Sequence, residues 1–331
     1  AKGIGRFALN RLGNYTTMYT VPEKSDIGYK WTVDWSYFDK PGITVSDIYA
    51  SINNIDPKDV KSKIYHLIEE KKIIKEIPPF QNGTVLEITQ LNDVWDIEAI
   101  KSLSANLEIL VPPFNTEEFS IFLYSPFTDL KGKINKSESD DYDYKISSSY
   151  KADKDQTLII NITRNELVTS ALEQEYKELF KYETMQKYPY TLEDFKHKTI
   201  TIETQLNKLK GFSNIDHSLL DKIGKFHFDF YFIKNTISDN IGEDNLQKYP
   251  YKTFQSSVRK NWLKKNGGIK IFRDNFRVRP YGENGQDWLK LGERQAQSPG
   301  GAGQKLGGYR IRPNQIAGAV QISRIDNPYF Q

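Results

Sequence analysis

Three groups of residues in this 331-residue chain have types and spacings suited to chemistry. The first is KGIGRFALNRLG, from Lys2 to Gly13. Gly3 and Gly5 permit backbone angles that aim successive N–H groups at one anion, and a helix beginning near Arg6 would add the positive end of its dipole. That is a phosphate cradle, although the same letters also suit a plain tight turn. The second group is basic: Lys260, Lys264, Lys265, Arg273, Arg277 and Arg279. Residues 251–331 carry 15 Lys and Arg against 5 Asp and Glu, a balance of +10; the first 250 residues hold the other 31 and 38, a balance of −7. Clustered positive charge suits a polyanion such as nucleic acid or nucleotide phosphate, or else forms a solvated face. The third group is acidic. Asp140, Asp141 and Asp143, within SESDDYDYK, read as a cation-binding loop or a solvated one.

Composition narrows the chemistry. The absence of cysteine excludes disulfides, thiolate metal sites and a cysteine nucleophile. His66, His197, His217 and His227 stand in separate segments with no ligand-like spacing, so no metal site is expected. Neither a GxSxG elbow nor a P-loop lysine motif occurs. No apolar run approaches the roughly 20 residues of a membrane helix, and the first residues lack the apolar segment of a signal peptide. A soluble, cytoplasmic protein is expected. Hydrophobic residues at 38 % and aromatics at 13 % describe a chain that folds, and its length suits two domains.

The elements that must position these groups follow from periodicity. Phe7, Ala8, Leu9 and Leu12 have helical spacing, and Gly13 is a natural stop. Tyr15 to Thr20 and Tyr29 to Trp35 form a hairpin pattern around Pro22 to Gly28. Asp56-Pro57 opens a charged helix, Gln81 to Leu91 reads as a turn feeding a strand, and Asp96 begins an amphipathic helix. Phe119 to Phe127 reads as another strand, and the order so far indicates an α+β layer with a mostly antiparallel sheet. A boundary near Pro126 divides the chain into domains 1–127 and 128–331.

In the second domain, Tyr144 to Tyr150 and Thr157 to Ile162 read as paired strands, and Asn165 to about Lys187 as the longest helix in the chain. KTITIETQL and KFHFDFYFIKN alternate as strands, the latter with Phe226, Phe228, Phe230 and Phe232 on one face and His227 on the other. FQSSVRKNWLKK is a basic helix ended by Asn266-Gly267-Gly268. IKIFRDNFRVRPY is a hairpin around Asp274-Asn275, and Ile316 to Ile322 is the last strand.

In GIGRFALNRLG, in Gly83-Thr84 opening a strand, in FRVRPYGENGQDWLKL and in PNQIAGAVQISRIDNP, the chain resembles the GHKL superfamily of Bergerat-fold ATPases, in a bacterial MORC-like or heat-shock-chaperone-like branch. The resemblance covers both ends and the Gly-Thr strand; the stretch from Asn165 to Phe195 has no counterpart in it. It implies an α+β protein made of the later half of a Bergerat-type α/β sandwich and a transducer-like, ribosomal-S5-like βαβ domain.

The resemblance also implies site residues. Gly3, Ile4, Gly5 and Arg6 would close an ATP lid over the β- and γ-phosphates, with Lys2 nearby, and the Thr84 hydroxyl would join the network that reads the adenine amino group. The family's water-activating glutamate, Mg²⁺-binding asparagine and adenine-binding DxGxG motif have no match here, nor does the γ-phosphate lysine after the last strand. Lys305 is the internal substitute for that lysine. These departures place the general base and the Mg²⁺ ligands outside the 331 residues, so this chain alone is not expected to hydrolyse ATP. The complete protein would be a homodimeric clamp acting on DNA or a protein client. The alternative is a non-enzymatic nucleic-acid-binding module using the basic quarter; a sensor kinase is disfavoured because no histidine stands where a phospho-acceptor should.

Overall fold

The computed structural model describes residues 8–44, 49–70, 82–112, 119–125, 127, 132–135, 139–209, 212, 215–234, 251–283, 286–296 and 311–330. It is an α+β protein, and its chain divides into two compact units, Ala1–Ala105 with Phe122–Lys133, and Asn106–Ile121 with Ile134–Gln331.

In the first unit, α1 (Ala8–Leu12) runs directly into β1 (Gly13–Val21), followed by β2 (Gly28–Asp34), β3 (Ser51–Ile55), α2 (Pro57–Glu70), β4 (Gly83–Leu91) and α3 (Ile97–Leu110), which continues into the second unit. The four strands form an antiparallel sheet in the order β3-β2-β1-β4. Central β1 is buried at Thr16, Thr17, Tyr19 and Val21, because it has a neighbour on each side, whereas edge strand β4 is mostly exposed. Alternation separates two faces. Tyr19, Val21 and Val85 pack against Val60 of α2 on one of them. On the other, Trp35 donates to the buried Thr16 hydroxyl at 2.9 Å. The expected strand over Phe119 to Phe127 reduces, among the described residues, to β5 (Phe122–Leu123), paired with β6 (Gly132–Lys133).

The second unit contains β7 (Tyr144–Tyr150), β8 (Thr157–Arg164), α4 (Thr169–Gln174), α5 (Leu192–His197), β9 (Thr199–Gln205), α6 (His217–Leu220), β10 (Phe226–Phe232), α7 (Ser256–Asn266), β11 (Gly268–Arg273), β12 (Phe276–Val278), α8 (Leu291–Ala296) and β13 (Ile316–Ile322). Its seven strands run β12-β11-β13-β10-β7-β8-β9, with β11 and β13 parallel and the other pairs antiparallel. Phe226, Phe228 and Phe230 stack along one face of β10, with centroids 6.3 and 4.5 Å apart. His227 points to the opposite face, where its Nδ1 lies 2.8 Å from the Ser149 hydroxyl.

The long helix expected over Asn165 to Lys187 is not formed. α4 covers six residues, and two 3₁₀ turns follow at Lys177–Lys181 and Glu183–Met185. The stretch is rich in helix formers, but helices in proteins are stabilised mainly by burying a continuous apolar face. Leu172 is fully buried, whereas Tyr182 and Tyr188 are largely exposed, so beyond α4 helix propensity acts without a continuous buried face. α5 begins instead at a capping box between Thr191 and Asp194.

In the acidic segment Asp140 is exposed, but its neighbours are not left to solvent. Asp141 and Asp143 grip the guanidinium of Arg259, whose side chain is 1 % exposed. Nε and Nη2 of Arg259 donate to the two oxygens of Asp141 at 2.9 and 2.6 Å, and Nη1 donates to Asp143 at 3.0 Å and to the Lys234 carbonyl at 2.7 Å. Tyr251 also donates to Asp143, and its phenol is pushed far up by burial and by that carboxylate. The hydrogen bonds from Arg259 hold Asp141 below the usual carboxylate range against its partial burial. Arg259→Leu leaves Asp143 buried opposite no cation, and the second unit is expected to lose about 3–5 kcal/mol. Urea unfolding followed by tryptophan fluorescence checks this; a midpoint shifted by less than the equivalent of 1 kcal/mol contradicts it.

Candidate anion-binding site

The β11–β12 hairpin is the scaffold of the site. Alternation along IKIF puts Lys270 and Phe272 on one face of β11. Arg277 stands directly opposite Phe272 in the ladder, which places it diagonal to Lys270 on that same face. Asp274 and Asn275 both adopt left-handed backbone, φ +50° and +66°, as a two-residue type I′ turn requires.

Beyond β12 the chain folds back so that Gly282 meets the start of β11. A Cβ on Gly282 would lie 2.3 Å from the Ile269 carbonyl oxygen, and one on Gly268 would lie 2.8 Å from that of Gly282. Both glycines also have positive φ, so neither tolerates a side chain. Trp288 Nε1 donates to the same Ile269 carbonyl at 2.7 Å, and this fastens the following segment to the strand. Asp287 accepts from the backbone N–H groups of Leu291 and Gly292 at 2.9 and 2.8 Å, and so caps α8.

These segments, the C-terminal half of α7 and Asn106 and Ile109 enclose a cavity of about 910 Å³. Its wall carries six cations (Lys260, Lys264, Lys265, Lys270, Arg277 and Arg279) and two acids (Glu283 and Asp287), a balance of +4. Five of the six basic residues singled out in the sequence therefore meet here. Arg273 does not line the cavity; its Nη1 donates to the Phe330 carbonyl at 3.2 Å.

The cations differ in their surroundings. Lys260 and Lys264 are exposed, Lys265 pairs with Glu108 at 2.6 Å, and Arg279 pairs with Glu283 at 3.1 Å. Arg277 has a side chain 1 % exposed. Its Nη2 donates to the Tyr281 carbonyl at 2.9 Å, while Nε and Nη1 are buried with no hydrogen-bond partner among the described residues. Lys270 Nζ donates to the Asn266 carbonyl at 2.7 Å. Burial and the neighbouring Arg277 charge push its pKa down to about 8. Burial also lowers the pKa of Arg277, with Glu283 opposing the shift.

Thr84 stands on β4, exposed, with its hydroxyl 2.9 Å from that of Thr20. Lys2, Gly3, Ile4, Gly5, Arg6 and Lys305 lie outside the described residues. Sequence reasoning missed Lys270, although the alternation of IKIF and the Asp274-Asn275 turn together place it beside Arg277. It also missed Asn92, whose amide donates to the carbonyls of Asn10 and Arg11 at 2.9 and 3.2 Å and caps the C-terminal end of α1. No signal within β4 marks Asn92, since its partners lie about 80 residues earlier. No family model matches the chain, and no curated protein is similar to it.

The depressed pKa of Lys270 predicts a pH dependence of stability. Between pH 8 and about 10.5 the unfolded chain binds the Lys270 proton and the folded chain does not, so this group makes folding stability rise with pH across that window, by at most about 1.4 kcal/mol per pH unit. Lys270→Met is expected to remove that component. Urea titrations of the wild type and the variant at pH 7.5, 8.5 and 9.5 check it; parallel pH profiles would contradict it.

Proposed function

We propose that this chain is part of an ATP-binding, ATP-hydrolysing, dimeric clamp of the GHKL type, acting in the cytoplasm on DNA or a protein client. The observation that carries the reading is the position of Thr84. By alternation Thr84, Leu86 and Ile88 share a face with Thr20, Met18 and Thr16, the face opposite the one that α2 covers. A hydroxyl pair at 2.9 Å, exposed at the end of a strand, is suited to hydrogen-bonding a purine edge. Leu86 is itself 49 % exposed on this face, which favours a further layer against it.

Two more features support the reading. α1 continues into the central strand without a linker, and Asn92 caps its C-terminal end against the end of β4. A glycine turn feeding α1 would thus be held on the same sheet as Thr84, and Gly3 to Arg6 would offer N–H groups to phosphates, beside Lys2. The first unit is read as the later half of a Bergerat-type layer, and the second as a transducer-like βαβ module. Among the described residues, no group of three or more histidine, aspartate or glutamate side chains is placed to hold a metal ion. No helix among them is long and apolar enough to cross a membrane.

A second reading rests on a different observation, the convergence of five basic residues on one cavity wall: a nucleic-acid-binding module in which the exposed lysines at the rim meet phosphates. Two measurements test these readings. The product of the complete reading frame is expected to hydrolyse ATP with Mg²⁺, and Thr84→Val to weaken ATP binding about tenfold, the loss of one hydrogen bond. Absence of nucleotide binding by that product overturns the clamp. For the second reading, duplex DNA affinity should fall steeply with salt, and replacing Lys260 and Lys264 by Ser should reduce the log–log slope by about 1.8. Salt-independent binding counts against it.

A further inference from the structure

We propose that Arg277 and Lys270, at the floor of the second unit's cavity, bind one phosphate monoester group of a ligand whose body occupies the rest of the cavity. Arg277 keeps Nε and Nη1 buried without hydrogen-bond partners among the described residues, and a buried guanidinium with only Nη2 satisfied is costly. Lys270 lies diagonal to it on the same sheet face, so two partly desolvated cations repel one another there. An anion between them would relieve both penalties.

The cavity's own acids do not supply that anion. Glu283 stands 3.1 Å from Arg279 and 3.7 Å from Arg277, so its charge is directed mainly to the former. Both oxygens of Asp287 accept N–H groups from the start of α8. A phosphate monoester carries close to two negative charges at neutral pH and three acceptor oxygens, which matches two cations better than a singly charged carboxylate does.

Size and lining say more about the ligand. A volume of about 910 Å³ lies at the upper end of small-ligand pockets and far exceeds a bare ion, so the phosphate arrives attached to a larger group. Trp288, Leu289 and Leu291 offer that group an apolar wall, and Lys260 and Lys264 offer further positive charge at the rim. The Arg277 side chain is 1 % exposed whereas Lys260 and Lys264 are exposed, so a phosphate within a continuous strand would meet the lysines, and a terminal phosphate would be needed to reach Arg277. None of these residues enters the ATP-clamp reading, and the inference stands independently of it.

The test uses adenine-free probes, so that a failed nucleotide site leaves it readable. Isothermal titration of the full chain at pH 7.5 compares ribose 5-phosphate with ribose, and a 5′-phosphorylated single strand with its 5′-hydroxyl counterpart. Phosphorylated probes should bind at least tenfold more tightly than their partners. Saturation by ribose 5-phosphate identifies a small metabolite as the source, whereas preference confined to the oligonucleotide identifies a strand end. Arg277→Gln and Lys270→Met should each weaken binding at least tenfold. If Arg277→Gln does not fold, Lys270→Met decides. Binding at pH 8.5 should also take up protons, seen as a heat that varies with the buffer's ionisation enthalpy, because the bound anion favours charged Lys270. Equal affinity for each phosphorylated and unphosphorylated pair, no binding of any probe, or undiminished binding by folded Lys270→Met overturns the proposal.

Discussion

The second unit depends on the placement of one guanidinium. Arg259 is among the largest fully buried side chains, and a charge there is stable only because Asp141, Asp143 and the Lys234 carbonyl surround it. The contact ties α7 to the segment leading into β7 and to the residues that follow β10. It also sets the rotation of α7. Arg259, Leu263 and Asn266 recur at helical spacing on the buried side, which leaves Lys260 and Lys264 exposed, where they line the cavity. A structural ion pair thereby aims two lysines that do not contact it.

The cavity has the opposite electrostatic character. Around Arg259 each cation has its anion, whereas around Arg277 the acids are fewer than the cations: Glu283 is shared between Arg279 and Arg277, and Asp287 accepts backbone N–H groups. Burial of unmatched charge is unfavourable, so the packing around it must hold the arrangement. The mutual approach of Gly268 and Gly282 and the Trp288 bond to Ile269 provide that packing without using charge. The lowered pKa of Lys270 is the electrostatic trace of the mismatch.

The first unit works through hydrogen-bonded ends. Thr20 and Thr84 meet at one end of the β1–β4 ladder, and Leu12, Asn92 and the last turn of α1 meet at the other, where Gly13 pairs with Leu91. Orientation of α1 is therefore carried by Asn92, a residue of no obvious chemical interest in the sequence. Edge strand β4 is polar or partly exposed along its length, while β1 is buried on both faces. The Thr84 hydroxyl sits on the accessible strand and its Thr20 partner on the buried one.

Local pattern alone determined the elements whose stability is local or whose turns are specific. These are the alternation of β1, β2, β4 and β10, the helix after Asp56-Pro57, the hairpin around Asp274-Asn275 and the basic stretch that becomes α7. Periodicity reports burial of a face, and left-handed turn residues are encoded by type, so both can be read without knowing the partner. It misled where propensity lacked packing, over residues 175–187, and where an acidic run found a buried cation more than a hundred residues away. The pairing of Asp143 with Arg259, the union of Lys270 and Arg277 with the rim lysines, and the capping of α1 by Asn92 were decided only by tertiary structure. Each depends on which distant groups share a low-dielectric space, and charge or hydrogen-bonding capacity in a sequence does not state its distance from a partner.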